Sequence, residues 1–83
     1  MDATASLEVL RDELTSRGWT ADLRRTRSGP VLHVQHPAHP RMNDDVVSDG
    51  AAFRWAWGQG IGPVAEVSAA ADRIQYVLRE VGA

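Results

Sequence analysis

Apolar positions along this chain repeat every three to four residues, then every two, then every three to four again. Leu7, Leu10 and Leu14, with Ala3 one turn earlier, fall on one face of a helix, while Glu8, Arg11, Asp12 and Glu13 take the other. Asp2, Thr4 or Ser6 can cap its amino end and Gly18 its carboxyl end. Glu13 and Arg17 stand in the favourable i to i+4 order. From Trp19 the period becomes two: Trp19, Ala21 and Leu23 alternate with Thr20, Asp22 and Arg24, which predicts a half-buried strand running into Arg24-Arg25-Thr26-Arg27. Ser28-Gly29-Pro30 is turn chemistry, and Val31 to His36 predicts the returning strand of a hairpin. Pro37 and Pro40 stop it, because neither can donate a ladder hydrogen bond.

From Pro37 to Asp45 the chain is polar, and a loop is expected. Val46 and Val47 predict a short strand, Ser48-Asp49-Gly50 a tight turn, and Ala52 to Trp57 a further strand. In that last strand Phe53, Trp55 and Trp57 share one face and carry three of the five aromatic residues, so all three are expected in the core. Gly58, Gly60 and Gly62 break the strand, and Pro63 suits the first turn of a second helix. Val64, Val67, Ala71, Ile74, Val77, Leu78 and Val81 outline that helix, with Gly82 closing it and Ala69, Ala70 and Ala71 allowing close packing on a flat surface. The expected fold is α+β: a two-layer sandwich of one helix, a three- or four-stranded antiparallel sheet and a second helix, in a single domain over residues 1–83.

Composition narrows what such a domain does. With 83 residues, 43% of them hydrophobic and 24% charged, the chain has enough apolar surface for one economical core and too much for disorder. Cysteine is absent, which removes disulfides and thiolate metal sites. Every basic residue is arginine, which removes lysine Schiff-base chemistry and the P-loop lysine. A net charge of −2 gives no general attraction to a polyanion. No apolar run has membrane-spanning length, and the acidic amino terminus lacks the features of a signal peptide, so a cytoplasmic location is expected.

Four groups of residues invite a chemical reading. Gly58, Gly60 and Gly62 between strand and helix resemble a dinucleotide-binding turn, but Pro63 stands where the third fingerprint glycine belongs, so no cofactor is expected. His33, His36 and His39 are metal-ligand residues at a spacing of three. On a strand that spacing sends His33 and His36 to opposite faces, and no metal site is expected. Arg24, Arg25 and Arg27 form the basic run. The helix-strands-helix order is also that of double-stranded RNA-binding domains, but the second helix opens on Pro63-Val64-Ala65-Glu66, whose acid repels a phosphate. Asn43-Asp44-Asp45 joins two carboxylates, and a solvated loop accounts for them without catalysis.

Gly18-Trp19, His36-Pro37, Phe53-Arg54-Trp55-Ala56-Trp57-Gly58, Ile61-Gly62-Pro63 and Ala69-Ala70-Ala71-Asp72-Arg73-Ile74 resemble segments of a group of short, largely uncharacterised actinobacterial proteins. At the level of element order the chain is also similar to type III secretion chaperones, a resemblance that implies a dimeric protein-binding module. The expected function is therefore a small non-enzymatic protein-interaction module, an accessory or regulatory partner protein that forms a homodimer. Its expected interaction surface is Val31, His33 and Gln35 with Arg24, Arg25 and Arg27, and Val31 to Gln35 is the expected contact strand. A nucleic-acid-binding regulator is the alternative, favoured by steep salt dependence. A small-ligand or metal-dependent enzyme comes third, favoured by a concave pocket gathering His36, Asp44 and Asp45.

Overall fold

The computed structural model describes residues 2–81, with side chains through Arg79. Helix α1 spans Ala3–Ser16. The Asp2 carboxylate caps it by accepting the Ala5 amide at 2.7 Å. At the other end Gly18 adopts φ 85°, and the amides of Gly18 and Trp19 turn back onto the carbonyls of Thr15 and Leu14. That left-handed step is open to glycine, which is why the helix stops where the sequence predicts. Buried Ser6 is satisfied by the carbonyls of Asp2 and Ala3 and by the Ser48 hydroxyl 2.8 Å away, so the start of α1 is tied to the sheet.

The sheet is an antiparallel meander of five strands in chain order: β1 Thr20–Thr26, β2 Gly29–Gln35, β3 Asn43–Ser48, β4 Ala52–Trp55 and β5 Gly60–Pro63. Helix α2 follows over Val67–Val81. Leu32 pairs with Val46 and Val46 with Trp55, so these three side chains line up across β2, β3 and β4 on one face. They join Val34, Phe53 and Trp19 of the sheet side, Leu7, Leu10 and Leu14 of α1, and Ala70, Ala71, Ile74 and Leu78 of α2 in one core. Both helices therefore cover the same face. The α+β layering of helix, antiparallel sheet and helix is as expected.

The strand count differs from the expectation of three or four. Gly60–Pro63, expected to be the turn and first turn of the second helix, forms an edge strand instead. The chain reverses directly after Trp55: the Trp55 amide bonds the Gln59 carbonyl, the Gly58 amide bonds the Trp55 carbonyl, and Gly58 takes φ 115°. Gly62 then pairs with Phe53 and Pro63 with Ala52. On an edge strand with one free side, a residue without an N–H is tolerated. The first bond of α2 runs from the Ala70 amide to the Glu66 carbonyl, so the helix begins well after Pro63. Gly82, expected to close that helix, lies outside the described residues.

Three further expectations change. Asn43, Asp44 and Asp45 are not loop residues but the start of β3, because Gln35, Val34 and His33 supply their ladder partners. Trp57 is not core: strand β4 ends at Trp55, so the alternation that would turn Trp57 inward is lost in the reversal, and the residue is 58% exposed. Val31 to Gln35, the expected contact strand, is an inner strand bonded to β1 on one side and β3 on the other, so it can meet a partner through its face and not by strand addition. The edges are β1 and the short β5.

Candidate interaction face of the sheet

Alternation along the strands sends every second residue away from the helices. With Leu32 and Val34 of β2 in the core, Val31, His33 and Gln35 point to the opposite face. Asp22 of β1 stands directly across from His33, and Asp45 of β3 stands across from it on the other side. His33 Nδ1 donates to Asp45 Oδ1 at 2.8 Å, so the imidazole is fixed in a row Asp22, His33, Asp45 that crosses three strands.

One step towards the β1–β2 hairpin the character of the face reverses. Arg24 pairs with Val31, and Val47 pairs with Arg54. The Leu32–Val46 pair makes Val31 and Val47 neighbours at the next step of that ladder. The second row thus reads Arg24, Val31, Val47, Arg54: two valines between two guanidiniums. Helix α1 packs on β1, β2 and β3, and α2 packs on α1 and β5, all on the core side, so neither helix covers these rows.

The predicted surface residues divide accordingly. Val31, His33, Gln35 and Arg24 are brought together on this bare face. Arg25, one residue out of phase, points to the helix side beyond the core, and Arg27 lies in the hairpin turn; both are exposed. Asp22, Asp45, Val47 and Arg54 belong to the same face, and their place depends on strand register, which is a property of pairing rather than of any one segment. The alternation of Asp22 with Arg24 along β1 was the signal available for Asp22.

The three histidines divide into His33 on one side and the neighbouring pair His36 and His39 on the other. His33 is on the bare face, while His36, past the end of β2, meets the Trp19 indole edge-on with ring centres 4.8 Å apart, and His39 lies 5.0 Å from His36. Among the described residues no three histidine, aspartate or glutamate side chains gather as a metal-holding group.

A groove of about 510 Å³ opens between the sheet and α2, lined by Trp19, His36, Asp72, Gln75, Tyr76 and Arg79. It takes in His36 but neither Asp44 nor Asp45, contrary to the constellation that would have marked an enzyme. Asp44 accepts the Trp57 indole N–H at 2.8 Å, and Asp45 is held by His33. Asp72 and Gln75 of the groove are also engaged in structure: Arg17 donates to Glu13, Asp72, Gln75 and the Ser68 hydroxyl, clamping α1 to α2. These carboxylates raise the Arg17 pKa, Asp72 contributing most, so this arginine carries its charge throughout. No described helix is long and apolar enough to cross a membrane. No protein-family model, curated protein or solved structure matches the chain.

Proposed function

We propose that this chain is a small non-enzymatic protein-interaction module, an accessory or regulatory partner protein that acts as a homodimer. The observation that carries the reading is the one-sided sheet: both helices cover one face, and the other presents a fixed His33–Asp45 pair, two adjacent valines and flanking arginines to a partner. Two adjacent valines held on ordered strands offer apolar surface for a partner to cover, and the charges around them select that partner. Reactive chemistry finds less support, because the histidine-carboxylate pair sits on a sheet face away from the groove that could enclose a substrate.

The test is a double substitution, Val31→Glu with Val47→Glu, compared with the parent chain by sedimentation equilibrium over about 1 to 100 μM, the range set by modest interface energies. The parent is expected to self-associate and the variant to be a monomer with an unchanged far-ultraviolet circular dichroism spectrum. Self-association that persists in the variant removes the bare face from the reading. Tight capture of duplex RNA or DNA at about 0.15 M salt would put the nucleic-acid alternative in its place.

A further inference from the structure

The charge pattern on the bare face is complementary to itself, and the geometry points to a second copy of this chain as its occupant, packed face to face about a twofold axis running across the strands between the two rows. This inference rests on the homodimer reading and specifies its contact. Asp22 and Arg24 are two residues apart on β1 and project from the same face. Among the described residues neither has an ion-pair partner, since the salt bridges there are Arg11–Asp12, Arg17–Glu13, Arg17–Asp72 and His33–Asp45.

Two sheets can meet through the same face only if one is turned over, which requires the twofold axis to lie in the plane between them. An axis along the strands would leave each row at its own height and set Asp22, His33 and Asp45 against the acidic row of the other copy. An axis across the strands exchanges the rows. Asp22 then meets Arg24 of the second copy, Arg24 meets its Asp22, and His33 meets its Val31 near the middle. On the third strand, Asp45 lies over Val47 of the second copy. Its Arg54, one strand further on, falls over Ala56, whose amide donates to the Asp45 carbonyl and so places it beside Asp45. A guanidinium at that position reaches the carboxylate diagonally. The same operation satisfies all four charges twice over. A partner of a different sequence would need no such reciprocity on this face.

The sheet offers a patch of roughly 20 Å by 20 Å, from strand spacing and rise, or about 800 Å² over both copies, which is the size of a weak, transient contact and smaller than a standard specific interface. The dimer is therefore expected in the micromolar range. Aligned packing of two twisted sheets keeps the strand directions within about 30° of each other, close enough for both rows to engage.

The test uses charge reversal on the full chain, read by sedimentation equilibrium from about 10 to 200 μM, the concentration range of a micromolar interface. Asp22→Arg sets a new guanidinium against that of Arg24 at both symmetric contacts, and Arg24→Asp sets two carboxylates together in the same way. Each is expected to weaken the dimer by about tenfold or more, since like charges are juxtaposed twice. The two predicted signatures are rescue by the double variant Asp22→Arg with Arg24→Asp, and a heterodimer on mixing the two single variants. Circular dichroism serves as the fold control, both positions being exposed. A parent dimer that either single variant leaves intact, or that the double variant fails to restore, overturns this contact while the homodimer reading stands. A parent chain that is monomeric over the whole range overturns the homodimer reading itself and this inference with it.

Discussion

Trp55 and Trp57 lie with their rings parallel, centres 6.1 Å apart and planes 4° from each other, yet they do different work. Trp55 is sealed in the core beside Phe53 and Val46, so Trp55→Ala is expected to cost about 3 to 5 kcal/mol, a large part of what a domain of this size has. Trp57 loses only an exposed stack and the hydrogen bond to Asp44, and Trp57→Ala should cost about 1 kcal/mol. Urea unfolding of the two variants measures both; equal losses would show that Trp57 is a core residue after all. Alternation alone could not separate the two residues, because Phe53-Arg54-Trp55-Ala56-Trp57 keeps perfect period two through a point where the backbone has already left the ladder. Arg17 is a different case. Its bond to Glu13 was legible as an i to i+4 pair, but its reach to Asp72, Gln75 and Ser68 depends on where α2 lies. Arg17→Ala should cost about 1 to 2 kcal/mol, the lower figure reflecting solvent screening at its exposed partners. A double-mutant cycle with Asp72→Ala checks that the two act together.

The β3–β4 connection shows how a turn carries a pH dependence. Asp49 Oδ1 accepts the amides of Ala51 and Ala52, each at 2.9 Å, and Gly50 takes φ 93° between them. The Ala51 amide, then the Ala52 amide, hold the Asp49 carboxyl below the usual carboxylate range. A carboxyl whose pKa is lower in the folded chain contributes stability while it is ionised, and that contribution is lost as pH falls through its folded value. The stability difference between the parent and Asp49→Ala is therefore expected at neutral pH and should close below about pH 4, the ordinary aspartate range. Thermal unfolding across pH tests this; a constant difference would mean that the turn holds without the charge. That hairpin was readable because Asp-Gly is a local signal. The Gly60–Pro63 strand was not, since Gly-Ile-Gly-Pro has little strand preference and exists as a strand because β4 supplies a template and Ile61 packs against the core. Asn43 to Asp45 escaped a local reading for the same reason: polar residues become strand when the register of β2 continues past the apolar pair Val46 and Val47.

At the scale of the molecule, one core joins both helices to the sheet, with α1, α2 and strands β2 to β4 all contributing to a single cluster. Alternation and helical spacing made most of that cluster legible, since each member sits in a segment with its own period, whereas the bare face emerges only when five strands are laid side by side. A shared core leaves no unit that can unfold alone, so unfolding followed by Trp55-dominated fluorescence and by far-ultraviolet circular dichroism should give one coincident transition. Its free energy should fall near about 4 to 12 kcal/mol, the range for a domain of this length. Dimerisation adds a dependence on concentration, because a second copy that binds only the folded chain stabilises it by mass action. Above the dissociation constant, a tenfold rise in protein concentration should add about 0.7 kcal/mol per chain, half of the tenfold increment shared by two chains. The transition of the parent should therefore move up with concentration, and that of Asp22→Arg should move less, in step with its weaker association. Hydrogen exchange along β2 cannot replace this measurement, because β1 and β3 already protect its amides within one chain. A parent transition that does not move between about 5 and 200 μM, well across the expected dissociation range, would leave the bare face to a partner of another kind.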